Sequence, residues 1–239
     1  MNVKLDLHIH SARSADGCMS MDEIARRCIA QGLHGAAVCD HDTVADALPK
    51  AENFLFIPGI EISTEYGHLL GLFVTVPIVS RDLCGAVEEI HAAGGIAVLA
   101  HPFARITDET RLTPIVHLLD GVEVFNSRAE RKNSRANAQA ESFARAHALR
   151  RFAGSDAHLS AEIGRAVLTV DVEELSLDAV KAALLAGKAE ISGKRSPARY
   201  TAKSQLIKHK RQGASLPVYA KWALFALKCH LQDLFCKGE

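Results

Sequence analysis

Apolar positions along the chain fall into short runs separated by amphipathic stretches. Runs rich in β-branched residues cover 3–7, 35–40, 54–60, 69–76, 96–100, 122–125, 152–154 and 166–170, and they predict strands. Helical patterns lie between them. The stretch 21–31 opens with Ser20-Met21-Asp22-Glu23, a capping-box pattern, and stops at Gly32. The stretch 81–93 ends at Gly94-Gly95, and 176–186 has Ser176 as its N-cap and Gly187 at its end. Residues 128–148, rich in Ala, Arg and Glu, predict one long helix. Strands alternating with helices predict an α/β fold built on a mostly parallel sheet, open or closed into a barrel. One link departs from that rule. Glu61 and His68 are too close in sequence for a crossover helix, so their strands are expected to form an antiparallel hairpin. No run of 18 uncharged apolar residues occurs, so no transmembrane helix is expected.

Most of these runs stop at residues that bind metals. The first runs into Asp6-Leu7-His8-Ile9-His10. On an extended backbone residues i and i+2 point the same way, so His8 and His10 can aim both imidazoles at one point. Asp16, Asp40-His41-Asp42, Glu61, His68, His101, Asp156 and His158 follow. In parallel α/β proteins the carboxyl ends of the strands carry the active site. A metal site collected from several strands of one sheet needs its ligands in that position.

Composition alters this picture in two places. Six cysteines occur without a C-x-x-C pair or a signal peptide, which favours reduced thiols in a cytoplasmic protein. The net charge of zero hides an asymmetry. Residues 1–191 hold 18 Lys+Arg against 26 Asp+Glu, whereas 192–232 hold nine basic residues and no acid. The expected division is therefore a metal-binding barrel over 1–191 and a basic C-terminal extension over 192–239. Within the extension, 216–236 predicts a helix carrying Trp222, Phe225, Cys229 and Phe235. Packing of that helix on the barrel is the favoured expectation. A membrane-surface role and the guidance of nucleic acid or an anionic substrate are the alternatives.

The motifs together resemble the PHP family, the polymerase and histidinol phosphatase superfamily. They are DLHIHSARSADG at 6–17, VCDHDT at 38–43, PGIEIS at 58–63, GHLLGLF at 67–73, LAHPF at 99–103, GVEVFNSR at 121–128 and GSDAH at 154–158. They run in the family's order across roughly residues 1–190. The resemblance implies a distorted seven-stranded β/α barrel with two to three divalent metal ions, Mn, Fe or Zn, at its mouth. It implies that His8, His10, Glu61 and Asp156 hold the first metal. Glu61 would bridge to a second held with His68 and His101, and Asp16, His41 and His158 would hold the third. Several family members carry His at the position of Asp16, so a shifted metal preference is expected. Asp6 and Asp42 are expected to hold histidines in one tautomer.

Such a centre is expected to hydrolyse a phosphate ester by metal-activated hydroxide, without a covalent intermediate. No Ser or Cys nucleophile motif competes with it. Asp156, Glu61 and His158 are the expected catalytic residues, with His158 or a metal-bound water as proton donor. Arg128, Arg105 and Asn126 are the expected substrate-binding residues, Arg128 because a bidentate guanidinium at a helix start suits phosphate. The favoured substrate is a nucleotide or nucleoside bisphosphate, with a short oligonucleotide also within the class. A histidinol-phosphate-type phosphatase is the alternative. A metal-binding module serving partner or membrane association is the reading from a different class.

Overall fold

A computed structural model of the chain describes residues 1–45, 48–106, 108–131 and 133–235. Its strands are β1 (Asn2–Ile9), β2 (Gly35–His41), β3 (Leu55–Thr64), β4 (Gly67–Leu72), β5 (Ile96–Ala100), β6 (Gly121–Asn126), β7 (Arg150–Gly154), β8 (Ala166–Asp171) and β9 (Glu190–Gly193). Its α-helices are α1 (Met21–Ala30), α2 (Leu83–Ala92), α3 (Ala136–Ala146), α4 (Leu177–Ala186), α5 (Ala198–Arg211) and α6 (Leu216–Phe235). The sheet order is β7-β6-β5-β4-β3-β2-β1-β8-β9. Strands β1–β3 are mutually parallel, as are β5–β7, and β4 runs against both of its neighbours. Thus β4 begins at the rim where the other six end. The antiparallel link from Glu61 to His68 is as expected, with Ser63 opposite His68.

The sheet curls into a nearly closed barrel of β1–β7. The first half of β1, Asn2–Leu5, pairs with β8, while beyond its other end His10 N–H donates to the Ala157 carbonyl at 2.8 Å. The barrel closes there, because Gly154 has no side chain: a Cβ at that position would lie 2.2 Å from the Cβ of His8. Strands β8 and β9 extend the sheet to nine, two more than the expected seven. The short and mostly exposed β9 has no apolar run from which to predict it.

Alternation places the site. Leu5, Leu7, Ala37, Cys39, Ile57, Leu70, Leu72, Val98 and Phe152 share one interior cluster. Ile60, Ile62, Leu69, Leu99, Val122 and Val124 face outward onto α2 and α3, and Ala36 and Val38 onto α1. Continuing each inner row by two residues reaches His41 after Cys39, Glu61 after Ile57 and Gly59, and His68 from Leu70. In β1 the parity would put Ile9 inside. A register shift between Asp6 and Ile9 prevents this. Ile9 packs outward with Ile24 and Cys28 of α1, and His8 and His10 are fully buried within.

Two elements differ from expectation. The long helix over 128–148 is broken into a 3₁₀ turn at Ala129–Arg131 and α3. Asn133 divides them: its side-chain oxygen accepts the Arg135 N–H at 3.1 Å, and its amide donates to the Phe103 carbonyl at 3.0 Å. A side chain bonding the backbone locally competes with the helical ladder. Helix α5 was not anticipated, because its sequence carries no apolar stripe.

Helix α5 touches the barrel's loops. Arg211 donates to the carbonyls of Ser14 at 3.1 Å and Gly17 at 2.6 Å. Asp233 of α6 accepts the Ala198 and Arg199 N–H groups at 3.3 and 3.1 Å, capping α5. Leu216, Leu224, Leu227 and Leu231 of α6 remain exposed. The predicted helix end at Cys236 lies outside the described residues.

Candidate metal centre

All nine expected ligands meet at the carboxyl rim. Glu61 is their hub, 1% exposed. Its Oε1 lies 2.6 Å from His68 Nδ1 and 3.1 Å from His101 Nε2. Its Oε2 lies 2.9 Å from His41 Nδ1 and 3.3 Å from His10 Nε2. Asp156 Oδ1 is 3.3 Å from His10 Nε2, and Asp16 Oδ1 is 3.4 Å from His158 Nε2. Three groups have ligand atoms mutually close enough to share an ion: His8, His10 and Asp156; His8, Glu61 and His101; and His10, His41 and His158.

These donors fit a metal. Asp16 Oδ1, Glu61 Oε2 and His68 Nδ1 are buried without a hydrogen-bond partner, although imidazoles and carboxylates crowd round them. They meet opposite charge at ion-pair distance but make no hydrogen bond, an arrangement that leaves buried polar atoms orphaned unless a cation joins them.

Buried partners set the tautomers. Glu123, 1% exposed on β6, lies 3.1 Å from His8 Nδ1 and accepts the His101 N–H at 2.9 Å. Ser14 Oγ donates to Asp40 at 2.8 Å and lies 3.1 Å from His10 Nδ1, so it accepts that ring's proton. His158 Nδ1 donates to the Asp156 carbonyl at 2.9 Å. In all three histidines Nε2 is left facing the centre. The sequence signal for Glu123 is a lone carboxylate inside an apolar strand, which by itself assigns no partner. Ser14 and Asp40 lay inside matched motifs without an assigned role. Asp6 differs from expectation. Among the described residues it hydrogen-bonds no imidazole ring, and accepts the backbone N–H groups of Ser155 at 2.8 Å, Gly164 at 3.0 Å and His8 at 3.5 Å. Asp42 likewise accepts the Ser63 N–H at 3.2 Å.

Without a cation the charges settle among themselves. Burial alone would raise Glu61, but His68, His8 and His41 hold it well below the usual carboxylate range. Burial would lower His41, and Glu61, Asp16 and Asp156 outweigh it, carrying the imidazole up to about 9. His8 is raised against its burial by Glu61, Glu123 and Asp156, while burial and His158 push His10 well down. A protonated His8 can therefore donate to a neutral His10 across their 3.1 Å Nε2···Nε2 contact. Asp42, His101 and Asp156 sit at positive φ, as do Asn53, Phe73 and Ala148 away from the site.

The centre opens into a cavity of about 280 Å³ lined also by Arg105, Asn126, Arg128 and Arg131. Arg128 follows β6 and directly precedes the short 3₁₀ turn Ala129–Arg131; it does not start the long helix expected over 128–148. Its Nε donates to Glu162 Oε1 at 2.7 Å, a second nitrogen binds Glu162 Oε2, and a third reaches Ser204 Oγ at 3.3 Å. Glu162 in turn accepts the His158 N–H at 3.2 Å, so this pair braces the loop that carries Asp156 and His158. Asn126 donates to Glu123 at 3.0 Å and accepts the Arg128 N–H at 2.9 Å. Arg105 and Arg131 are exposed, and neither side chain has an ion pair or hydrogen bond among the described residues. His34, His91, His117 and His147 lie outside the cavity.

The family model for the PHP domain matches residues 6–135, more than half of the chain, and a PHP-associated model matches 134–189. The chain belongs to the PHP family. It is 32% identical over 177 residues to an uncharacterised protein of Methanocaldococcus jannaschii, covering 70% of each chain. It is 41% identical over 81 residues to a 5'-3' exoribonuclease of Haemophilus influenzae, covering 30% of this chain and 29% of that one. A two-domain protein of Bacteroides vulgatus containing a predicted PHP-like metal-dependent phosphoesterase shares the fold with a TM-score of 0.67 and 19% identity. That match covers 81% of this chain and 65% of the other. By family and by donor set, the chain is a metal-dependent hydrolase. Residues 192–239 lie beyond both family matches.

Proposed function

We propose that the chain hydrolyses a phosphate ester of a nucleotide, a nucleoside bisphosphate or the end of a short oligonucleotide, using two to three divalent ions drawn from Mn, Fe or Zn. The observation that carries this reading is Glu61. Both of its oxygens face imidazoles, and the centre it joins opens into a cavity lined by Arg128 and by Arg105 and Arg131, whose side chains have no ion pair or hydrogen bond among the described residues. When bound, the metals would acidify water and neutralise charge building on phosphorus.

His8, His10, Glu61 and Asp156 would hold one ion. Glu61, His68 and His101 would hold the second, and Asp16, His41 and His158 the third. By holding the ions, the carboxylates of Asp156 and Glu61 would set where the reacting phosphate binds. Anion binding at the cavity wall, outside the metal centre, falls first to Arg105, because the guanidinium of Arg128 is already engaged by Glu162. Arg128 contributes positive charge from the cavity wall, and Asn126 steadies Glu123 behind His8. His158 has only Nε2 open to the cavity, since Nδ1 donates to the Asp156 carbonyl. That nitrogen would be given to the third ion, so His158 would protonate the leaving oxygen only in a two-ion centre that leaves its Nε2 free.

The partial match to a 5'-3' exoribonuclease supports nucleotide over histidinol phosphate. The five described cysteines are unpaired, which suits a reducing, cytoplasmic setting. No helix among the described residues is long and apolar enough to cross a membrane.

The test is elemental analysis of protein purified without chelators, paired with a panel of phosphate esters. Two to three transition-metal ions per chain and turnover abolished by EDTA are expected. Asp156→Asn should remove most turnover while the protein stays folded. A chain that neither retains Mn, Fe or Zn nor gains activity or stability on adding them would overturn the reading.

A further inference from the structure

The α5–α6 pair, outside both family matches, brings Thr201, Gln205, Trp222 and Phe225 to the wall of the metal cavity. Trp222 and Phe225 stand three residues apart on one helix face. Both are half-buried, with ring centroids 5.6 Å apart and planes at 90°. His209 of α5 lies 5.1 Å from Trp222 and braces it within the αα-hairpin. The hairpin is itself fixed over the rim, since Gln205 reaches Asp16 at 3.4 Å. On the same cavity lie Arg105 and Arg131. Burial and the nearby charges of Arg105 and Arg128 lower Arg131, so the cationic groups crowd one another.

Hydrolysis of a bare phosphate needs neither the aromatic pair nor the second arginine. A flat π-face beside clustered guanidinium groups matches a ligand with a flat ring and more than one anionic group. We propose that Trp222 and Phe225 form a base-binding wall, and that Arg105 and Arg131 hold a second phosphate while the first reaches the metal centre. The substrate is then a nucleoside carrying two phosphates or the terminus of a short oligonucleotide, which deepens and rests on the phosphoesterase reading above. The guanidiniums confer anion affinity and the indole confers selectivity for a base.

Trp222 is the single tryptophan of the chain, so its fluorescence reports the wall directly. Adenosine 3',5'-bisphosphate should quench it in the full-length protein at concentrations where ribose 5-phosphate does not. Trp222→Ala should lower the ratio of kcat/KM for the bisphosphate over that for glycerol 2-phosphate by about 5- to 100-fold, the effect of one base stacked on one aromatic face. Trp222→Phe should restore most of that ratio. Arg105→Ala and Arg131→Ala should each raise KM for the bisphosphate more than for the monophosphate. Equal quenching by ribose 5-phosphate, or an unchanged ratio in Trp222→Ala, would overturn the proposal. If Trp222→Ala does not fold, the titration of the unaltered protein still decides. If no ester is hydrolysed with any metal, the phosphoesterase reading fails, and the fluorescence titration judges the base wall separately.

Discussion

Glu123 never faces the cavity, yet it holds His8 through Nδ1 and the backbone of His101 at once. Carboxylates that orient metal-bound histidines change metal affinity by about 10- to 100-fold when altered. Glu123→Gln is expected to weaken metal retention in that range, measured by competition with a chelator, while the fold persists. Retention equal to the unaltered protein would show that His8 is oriented by other means. His41 carries a pH dependence. Its imidazole, raised to about 9 in the metal-free protein, must lose its proton to become a ligand. Metal affinity should therefore climb with pH up to about 9, with protons released on binding. The stability of the metal-free protein is expected to follow the opposite trend. Because the folded value lies above the ordinary 6.5, the stabilisation from protonated His41 is complete below that pH and is lost as pH rises through about 9. Calorimetry in buffers of different ionisation enthalpy measures the first effect, and thermal unfolding against pH the second.

Strands aim these residues through parity. Each inner row is apolar at the bottom of the barrel and turns to metal-type residues at the rim. The exception is β1, where a register shift brings His8 and His10 inward and Ile9 outward. The closure between β1 and β7 is equally local. A Cβ on Gly154 would strike His8 Cβ at 2.2 Å and His8 N at 2.8 Å, and backbone cannot yield as a flexible side chain can. Gly154→Ala is expected to destabilise the protein by about 1–3 kcal/mol or more, the usual range for overpacking. It should also weaken metal binding, because His8 moves with its strand. Chemical denaturation and metal titration together check this, and loss of stability with full metal affinity would separate closure from the centre.

For the whole molecule, the question is what residues 192–239 contribute. Arg211 gathers carbonyls of the loop that carries Asp16, and Gln205 reaches Asp16 itself. Removing the segment is expected to lower Tm and loosen the metal held by Asp16, His41 and His158, at low and high salt alike. A loss that disappears in salt would assign the segment to long-range steering, because screening acts on exposed charge. A soluble truncated protein with unchanged Tm and metal content would show that the barrel stands without it.

The order of strands β1 to β8 and the ligand-type residues at their ends were legible in the chain, since both are local. An apolar run ending in histidine or carboxylate shows a strand reaching a rim, and seven motifs in order carry the family. What the chain could not show depends on residues distant in sequence. Glu123 looks like an oddity of an apolar strand until the barrel brings it, 115 residues along, to His8. Arg128 looks like an exposed phosphate clamp until folding sets it against Glu162, 34 residues away. The 128–148 helix breaks because Asn133 finds the carbonyl of Phe103, a partner that propensity cannot see. Likewise Trp222 and Phe225 read as ordinary core on an apolar helix, and only the packing of α5 and α6 over the rim turns them toward the cavity. Local periodicity determined the strands and their chemistry. Tertiary structure decided which charges neutralise one another and which remain free for a ligand, because that depends on distances across the barrel that spacing along the chain does not encode.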